Sequence, residues 1–130
     1  GFRPQAYQDS VGVWTIGYGT TRINGQPVKQ GMNITEDQAL QLVQQEVNKL
    51  WSQIEQITKV NLNDNQRNAL VDFAYNLGFG SLKNSTLMRL VNESKFEEAA
   101  NQFPRWVYAG GKVLPGLVKR REAERQLFLS

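Results

Sequence analysis

The first 21 residues combine one carboxylate, one hydroxyl and several glycines in a spacing that suits hydrolysis. Asp9 opens the segment DSVG, and Thr15 follows within the apolar segment VWTIGYG. A hairpin would fold the two back towards each other, and a carboxylate beside a hydroxyl can hold a water molecule and accept its proton. Asp9 also suits a turn cap and Thr15 an ordinary strand position, so spacing by itself leaves both interpretations open.

The composition removes several common hydrolytic mechanisms. The 130 residues include no His and no Cys, which excludes Ser-His-Asp triads, cysteine nucleophiles, disulfides and His- or Cys-ligated zinc. The acids and bases that remain are carboxylates, Lys and Tyr. We expect no cofactor and no metal.

The chain is mildly basic, with a formal net charge of +3 and a sequence pI of about 9.3. Such a balance favours anionic partners such as nucleic acid, membrane surfaces or acidic wall polymers, although solubility alone explains a charge of this size. No apolar run approaches the roughly 20 residues that a membrane-spanning helix needs. We therefore expect no stable membrane insertion of this chain.

The first third of the chain is dense in turn signals. DSVG suits a type I turn, with Asp at its first position and Gly at its last. VWTIGYG is β-branched and aromatic, which predicts a strand, and Asn24-Gly25 is a strong two-residue hairpin signal. Gly17 and Gly19 indicate close approach of a ligand or another backbone. This small β-region must pack on helices to be stable.

Beyond residue 34 the apolar period becomes helical. Thr35 and Gln38 form a capping-box pattern, and one apolar stripe continues over about six turns. The stripe consists of Leu40, Val43, Val47, Leu50, Ile54 and Ile57. The further predicted helices run from residue 63 or 64 to an αL cap at Gly78, from Ser85 to about Val91, over KFEEAANQF up to Pro104, as a short turn over RWVYAGG, and from Pro115 to Phe128.

The last predicted helix is rich in charge. Its charged residues are Lys119, Arg120, Arg121, Glu122, Glu124 and Arg125. We expect a solvated helix face on which Glu122 and Arg125 pair. Trp106, which precedes this helix in the sequence, is expected in the core of the helical lobe. Together the patterns predict an α+β chain forming one domain over residues 1–130. Residues 1–34 form a β-rich lobe, residues 35–58 a linking helix and residues 59–130 a helical lobe.

Three blocks of the sequence resemble, in order, the phage-type lysozymes, the muramidase endolysins of glycoside hydrolase family 24. The blocks are AYQDSVGVWTIGYGTT, NALVDFAYNLGFGSLKNSTLMRLVN and FPRWVYAGGKVLPGLVKRREAERQLFL. The family's opening pattern is Glu-Gly-x-Arg, then Ala-Tyr-x-Asp, then Gly-x-x-Thr-Ile-Gly-Tyr-Gly. The resemblance implies a lysozyme-like fold, in which a long helix joins a small N-terminal β-hairpin lobe to a mainly helical lobe.

The family's catalytic set is a Glu, an Asp and a Thr. The resemblance places two of them at Asp9 and Thr15, and the Glu would stand immediately before Gly1, outside the printed sequence. The Glu would protonate the leaving oxygen while Asp9 and Thr15 activate the attacking water, which implies inversion. The chain as printed is then expected to bind its polymer but to cleave it poorly, through truncation, processing or a true loss of catalysis.

The resemblance also suggests residues that bind sugar. Tyr75, Asn76 and Ser85 match positions that line the family's cleft, and Thr21 and Arg105 are further candidates. Amides and hydroxyls suit sugar hydroxyls, and an aromatic ring suits a pyranose face. Each of the first three also has a structural interpretation, as a core ring, a helix end and an N-cap respectively.

The implied function is peptidoglycan hydrolysis at the β-1,4 bond between N-acetylmuramic acid and N-acetylglucosamine. The resemblance implies a phage or prophage product that is made in the bacterial host cytoplasm and acts on the wall in the periplasm. The implied partner is peptidoglycan, with no nucleic acid, and we expect a monomer. Two alternatives stay open: a non-catalytic peptidoglycan-binding module, and a helix-turn-helix DNA binder suggested by the basic balance and the helices around Gly78.

Overall fold

The computed structural model describes residues 1–130. Four short strands precede the helices: β1 (Arg3–Gln8), β2 (Trp14–Gly17), β3 (Arg22–Ile23) and β4 (Gln26–Pro27). Then follow α1 (Glu36–Ile57), α2 (Asp64–Leu77), α3 (Phe79–Lys83), α4 (Thr86–Asn92), α5 (Phe96–Ala100), a 3₁₀ turn (Phe103–Arg105), β5 (Tyr108–Ala109), β6 (Lys112–Val113) and α6 (Pro115–Leu129). The chain divides into two compact units, residues 1–46 and residues 47–130, and α1 begins in the first and ends in the second.

The first unit contains two antiparallel strand pairs. β1 pairs with β2, with Tyr7 opposite Thr15 and Arg3 opposite Gly17, and the register shifts between Arg3 and Tyr7. β3 pairs with β4 through the predicted two-residue turn, in which Asn24 has a φ of 51° and Gly25 a φ of 79°. Positive φ at both central residues is the type I′ geometry that matches strand twist. The hairpin prediction is therefore confirmed.

Gly17 shows why a glycine is needed at the end of β2. Its φ is 66°, and a Cβ built there would lie 3.0 Å from the Cβ of Ala39 and 3.0 Å from Cδ1 of Ile34. Positive φ and a close neighbour both disfavour any larger residue. The close approach predicted for this position is an approach of backbone to the first turn of α1.

The start of α1 is fixed by the predicted capping box. The Thr35 hydroxyl accepts a hydrogen bond from the Gln38 backbone N–H at 3.1 Å, and the Gln38 side chain accepts one from the Thr35 N–H at 2.8 Å. Two of the helix's otherwise unpaired donors are thereby satisfied. The apolar stripe begins later than predicted, because Leu40 is 51% exposed whereas Leu50 and Ile54 are fully buried.

The second helix has the predicted start and a different end. Asn63 caps α2 in a full capping box with Gln66. Gly78 follows the helix with a φ of 97° and a ψ of 146°, which is an extended glycine conformation rather than the predicted αL cap. Since the chain turns sharply there, the additional helix α3, which sequence reasoning did not foresee, begins at the next residue.

The second unit holds the main hydrophobic core. Phe73 of α2 lies at its centre and makes edge-to-face contacts with Phe103, at a ring separation of 5.8 Å, and with Trp106, at 5.2 Å. Phe128 of α6 closes the cluster against Phe96 and Phe103. Aromatic pairs in this geometry add to the stabilisation from burial. The prediction that Trp106 belongs to the core is confirmed.

The segment between the 3₁₀ turn and α6 is a β-hairpin, and the predicted helical turn there was wrong. Tyr108 pairs with Val113, and the turn residues Gly110 and Gly111 have φ values of 59° and 78°. Two glycines with positive φ between β-forming residues make a two-residue hairpin turn. The helix before this segment is also shorter than predicted. It ends at Ala100, and Pro104 lies inside the 3₁₀ turn that follows.

The prediction of a solvated face is correct for one side of α6 only. The predicted pair of Glu122 and Arg125 is present at 3.3 Å. Arg121 and Glu124, however, are 0% and 2% exposed, so the helix turns two charges into the protein interior. Buried charges of this kind must be paired, and these two pair with each other.

None of the helices combines the length and the apolar character that crossing a membrane requires.

Candidate functional site

Asp9 heads a tight turn that its own carboxylate holds together. Oδ1 accepts hydrogen bonds from the backbone N–H groups of Val11, at 3.0 Å, and Val13, at 2.9 Å. The Gly12 N–H bonds to the Asp9 carbonyl at 3.0 Å, which is the i to i+3 bond of the predicted turn. The second carboxylate oxygen, Oδ2, makes no hydrogen bond with the protein. One carboxylate oxygen is therefore used to hold the turn and the other is not.

Thr15 is attached to the same turn from the other strand. Its hydroxyl donates to the Val13 carbonyl at 3.0 Å, and the residue is 4% exposed. The same carbonyl accepts the Asp9 N–H at 2.9 Å. The hairpin therefore brings Asp9 and Thr15 together through one intervening residue, Val13, with the carboxylate on its N–H and the hydroxyl on its C=O.

This arrangement leaves two hydrogen-bond acceptors, Oδ2 of Asp9 and Oγ1 of Thr15. The Thr15 hydroxyl has used its only proton on Val13, so its oxygen is left to accept. A water molecule donating one O–H to Oδ2 of Asp9 and the other to Oγ1 of Thr15 would keep a lone pair free for attack. Asp9 does cap the turn, but this role occupies only one of the two carboxylate oxygens.

The other acids of the first unit have separate surroundings. Glu36, in the first turn of α1, accepts a hydrogen bond from the Tyr18 hydroxyl at 2.9 Å. That hydrogen bond to a carboxylate raises the pKa of the Tyr18 hydroxyl above its ordinary value. Asp37 lies in the same helical turn, where an acid complements the helix dipole. No group of three or more acidic side chains forms a potential metal site.

Tyr75 and Asn76 lie together on the last turn of α2. Tyr75 is half-buried and packs against the core of the second unit, as its structural interpretation predicts. Asn76 differs, because its side-chain oxygen is buried without a hydrogen-bond partner. An unpaired buried acceptor is unusual in a native protein and calls for a reason beyond ending a helix.

Ser85 is committed to the start of α4. Its hydroxyl accepts from the Met88 N–H at 3.0 Å and donates to the Leu82 carbonyl at 2.6 Å. The N-cap interpretation is therefore sufficient for this side chain. The residue nevertheless lines a pocket of about 310 Å³ beside the end of α1.

Thr21 and Arg105 lie apart from these groups along the chain. Thr21 is exposed, and its carbonyl accepts the Val28 N–H at 2.9 Å at the base of the second hairpin. Arg105 is exposed at the end of the 3₁₀ turn and forms no ion pair. Their roles in sugar binding stay predictions, as do those of Tyr75, Asn76 and Ser85.

Comparison with known proteins decides the family. The family model described as phage lysozyme matches residues 1–124. The chain belongs to the phage lysozyme family. Among solved structures it is similar to an endolysin from an Escherichia coli O157:H7 phage, with a TM-score of 0.86 and 36% identity, covering 100% of this chain and 85% of that one. It is also similar to the muramidase domain of SpmX from Asticaccaulis excentricus, with a TM-score of 0.83 and 32% identity, covering 100% and 88%.

Curated phage lysozyme relatives agree. An endolysin of Bacillus phage B103 is 42% identical over 132 residues, which span 100% of this chain and 49% of the relative. A SAR-endolysin of bacteriophage PS119 is 39% identical over 129 residues, spanning 99% of this chain and 75% of the relative. The chain thus spans about half the length of the Bacillus relative. Both the family and the lysozyme-like α+β fold predicted from the sequence are confirmed.

Sequence reasoning missed a cluster of charges that joins α2 to α6 of this phage lysozyme. Arg121 NH2 donates to Glu124 at 2.8 Å, and Arg120 forms a two-bond contact with Asp72 at 3.0 and 3.2 Å. Burial, with the hydrogen bond to Asp72, raises the pKa of Glu124 to about 8. Burial also acts to raise the pKa of Asp72, but hydrogen bonds from Glu124 and Arg120 outweigh it and hold that pKa below its usual value.

The raised pKa of Glu124 and the lowered pKa of Asp72 are those of a neutral carboxyl beside an ionised one. Glu124 in its neutral form can donate to the Asp72 carboxylate, which remains ionised. The only sequence signal was the spacing of three between Arg121 and Glu124, which equally describes an exposed pair. Nothing in the sequence said which side of α6 would face α2.

Proposed function

We propose that this phage lysozyme is a muramidase that hydrolyses the β-1,4 bond between N-acetylmuramic acid and N-acetylglucosamine in bacterial peptidoglycan. Family membership supports the reaction class, and the shared attachment of Asp9 and Thr15 to Val13 is the observation that carries the mechanism. The names of similar proteins, endolysin and muramidase domain, agree with this class. We place its action at the bacterial cell wall, as a phage product working as a monomer.

In the proposed mechanism Asp9 is the general base. Water donates one hydrogen bond to Oδ2 of Asp9 and one to Oγ1 of Thr15, and its free lone pair attacks the anomeric carbon. Asp9 takes the water's proton as the new C–O bond forms, while an acid on the opposite side protonates the leaving oxygen. The product has inverted configuration, because water enters opposite the bond that breaks.

The acid in this mechanism is a glutamate placed directly ahead of Gly1. β1 runs antiparallel to β2 with Arg3 opposite Gly17, so the beginning of the chain follows the same strand pair that carries Thr15. Glu36, the first acid along the chain after Asp9, is already engaged by Tyr18. A donor attached ahead of Gly1 is therefore the better candidate.

In this proposal Tyr75 and Asn76 of the second unit bind sugar. Asn76 supplies an amide and Tyr75 an aromatic ring at neighbouring positions of α2, which is the combination that recognises hydroxyls and a pyranose face. Thr21 and Arg105 are exposed polar side chains that can add contacts. Ser85 contributes by holding α4, since its hydroxyl is already doubly bonded.

The test compares the printed chain with forms carrying one added residue, Glu or Gln, ahead of Gly1. Release of reducing ends from purified peptidoglycan is expected only with added Glu, with the other two forms about 10² to 10⁴ lower, the usual worth of general acid–base catalysis. Nuclear magnetic resonance of fresh products should show inversion. Sedimentation with insoluble peptidoglycan measures binding separately.

The alternative function is a non-catalytic wall-binding module, and the same three forms test it. If all three forms sediment with peptidoglycan and none releases reducing ends, the binding module is the correct assignment.

A further inference from the structure

The pocket that Ser85 lines lies within the second unit. It has a volume of about 310 Å³ and is formed where the end of α1 meets α3 and α4. Its lining residues are Ile57, Lys83, Asn84, Ser85, Thr86, Met88, Arg89 and Asn92. This volume falls at the lower end of the range for small-molecule sites.

The pocket is positively charged. Lys83 and Arg89 line it, and none of its lining residues is an acid. Lys83 has no acidic partner within salt-bridge distance. Arg89 donates through NH1 to Glu93 at 2.9 Å, which leaves its Nε and NH2 groups unused. An anion entering here would therefore meet two cations, and the one carboxylate paired with either of them, that of Glu93, occupies only NH1 of Arg89.

The neutral side chains divide into two kinds. The side chains of Asn92 and Ser85 already make hydrogen bonds within the protein. Asn92 accepts from the Lys59 N–H at 2.8 Å and donates to the Ile57 carbonyl at 3.0 Å, and Ser85 caps α4. The side chains of Asn84 and Thr86 make no hydrogen bond with the protein. The committed pair gives the pocket fixed walls, and the free pair adds donors to those of the two cations.

We propose that this pocket binds a phosphate group, carried on a small organic body as a phosphate ester. Four side chains offer free donors, namely the Lys83 ammonium, the remaining guanidinium N–H groups of Arg89, the Asn84 amide and the Thr86 hydroxyl. A phosphate ester presents more acceptor oxygens than the two of a carboxylate, so it satisfies more of these donors. Ile57 and Met88 supply apolar surface for the organic part.

The test is isothermal titration of the purified chain with sn-glycerol 3-phosphate, with inorganic phosphate and acetate as comparison ligands. Glycerol phosphate is expected to bind more tightly than inorganic phosphate, and acetate more weakly than both. Acetate binding as tightly as glycerol phosphate, or no heat of binding from either phosphate at millimolar concentration, overturns the proposal.

Matched variants locate the site. Lys83→Gln removes a cation without breaking any contact of the fold. It should weaken the binding of glycerol phosphate about tenfold, as loss of one charge-assisted hydrogen bond does. Lys49→Gln makes the same change at an exposed position of α1 outside the pocket and should leave affinity unchanged. Equal affinity in Lys83→Gln and the unaltered chain rejects this pocket as the site.

Flotation with phosphatidylglycerol vesicles distinguishes the source of the phosphate. Lys83-dependent binding to vesicles as well as to glycerol phosphate identifies lipid headgroups, whereas binding to glycerol phosphate alone identifies a free or polymer-borne ester. Vesicle binding that Lys83→Gln and Lys49→Gln reduce equally reflects general surface charge and contradicts a pocket. None of these readouts depends on cleavage of peptidoglycan, so they stand or fall separately from the muramidase proposal.

Discussion

Asp9 and Glu124 show two opposite uses of a carboxylate in one small protein. The Asp9 carboxylate accepts hydrogen bonds only from main-chain N–H groups, and one of its oxygens has no protein partner. Glu124 is almost fully buried and pairs with two arginines, Arg120 and Arg121. The Asp9 carboxylate is held in place through one oxygen and keeps the other without a protein partner. The Glu124 carboxyl is enclosed by the side chains with which it interacts.

The difference teaches how to separate chemistry from stability here. A carboxylate positioned by backbone N–H groups can be altered without disturbing packing, because an amide oxygen can accept the same bonds. A carboxylate inside an ion cluster cannot lose a partner without leaving another charge buried. Changes at Asp9 should therefore appear in catalysis, and changes around Glu124 in unfolding.

The largest expected effect is that of Asp9→Asn in the form with Glu ahead of Gly1. Peptidoglycan cleavage should fall by about 10² to 10⁴, since the base is lost. The unfolding free energy should change by less than about 1 kcal/mol, because the Asn oxygen can still accept from Val11 and Val13. Asp37→Asn, in the exposed first turn of α1, is the control. Equal activity in the two variants would remove Asp9 from the mechanism.

Next comes Arg121→Met, which leaves Glu124 and Asp72 without their buried cation. Urea unfolding above about pH 8, where Glu124 is ionised in the folded chain, should show a loss of about 3–5 kcal/mol, the usual consequence of breaking a buried pair from one side. Arg125→Met removes a partly exposed arginine from the same helix and should cost less than about 1 kcal/mol. Similar losses for both would mean that burial of the cluster contributes nothing special.

A smaller loss is expected from Gly17→Ala, which tests whether the first unit depends on packing rather than on charge. The positive φ and the contacts with Ala39 and Ile34 should together cost about 1–3 kcal/mol in unfolding free energy. Gly25→Ala also has a positive φ but open space around its Cβ, so it reports strain alone. If Gly25→Ala costs as much, the close approach to α1 is unimportant.

The pH dependence should be the most gradual effect. Because the pKa of Glu124 is raised to about 8 in the folded state, the folded chain holds a proton that the unfolded chain has released. Stability should therefore fall as pH rises from about 4.5 to about 8, by at most about 1.4 kcal/mol per pH unit, and level off above that. The lowered pKa of Asp72 acts in the opposite direction, in a separate window below about 4.

Glu124→Gln is the variant that assigns this slope. It keeps a neutral group that can still donate to Asp72, so the decline between pH 4.5 and 8 should disappear while acid unfolding through Asp72 persists. An unchanged slope in Glu124→Gln would mean that the ion pair with Arg121 keeps Glu124 ionised throughout.

Local signals predicted much of this fold. The Asn24-Gly25 turn and the Thr35–Gln38 box each specify a backbone geometry within a few residues, so both could be read directly. Gly110-Gly111 carried the same kind of turn signal, but neighbouring helix-compatible residues favoured a helical interpretation. The conformation of a short hairpin between helices depends on the residues on both sides of its turn. Here only the turn residues themselves indicated a hairpin.

The candidate site was less predictable than the fold. The sequence spacing predicted that Asp9 and Thr15 lie on one hairpin. The hydrogen bonds that each makes to Val13, however, depend on the register between β1 and β2, which spacing does not specify. Burial of Arg121 and Glu124 could not be predicted either, since a helix with charges on several sides gives no apolar stripe to orient it. The docking of α6 on α2 decides which charges are enclosed.

The turn that carries Asp9 also has a practical consequence. It engages residues 11 and 13 only through their peptide groups, and the side chains of Val11 and Val13 are 49% and 45% exposed. Those two positions can be re-surfaced with other β-compatible residues while the carboxylate stays anchored. Under the proposed function, they are positions where the surface beside the candidate base can be varied while the hydrogen bonds that hold Asp9 stay in place.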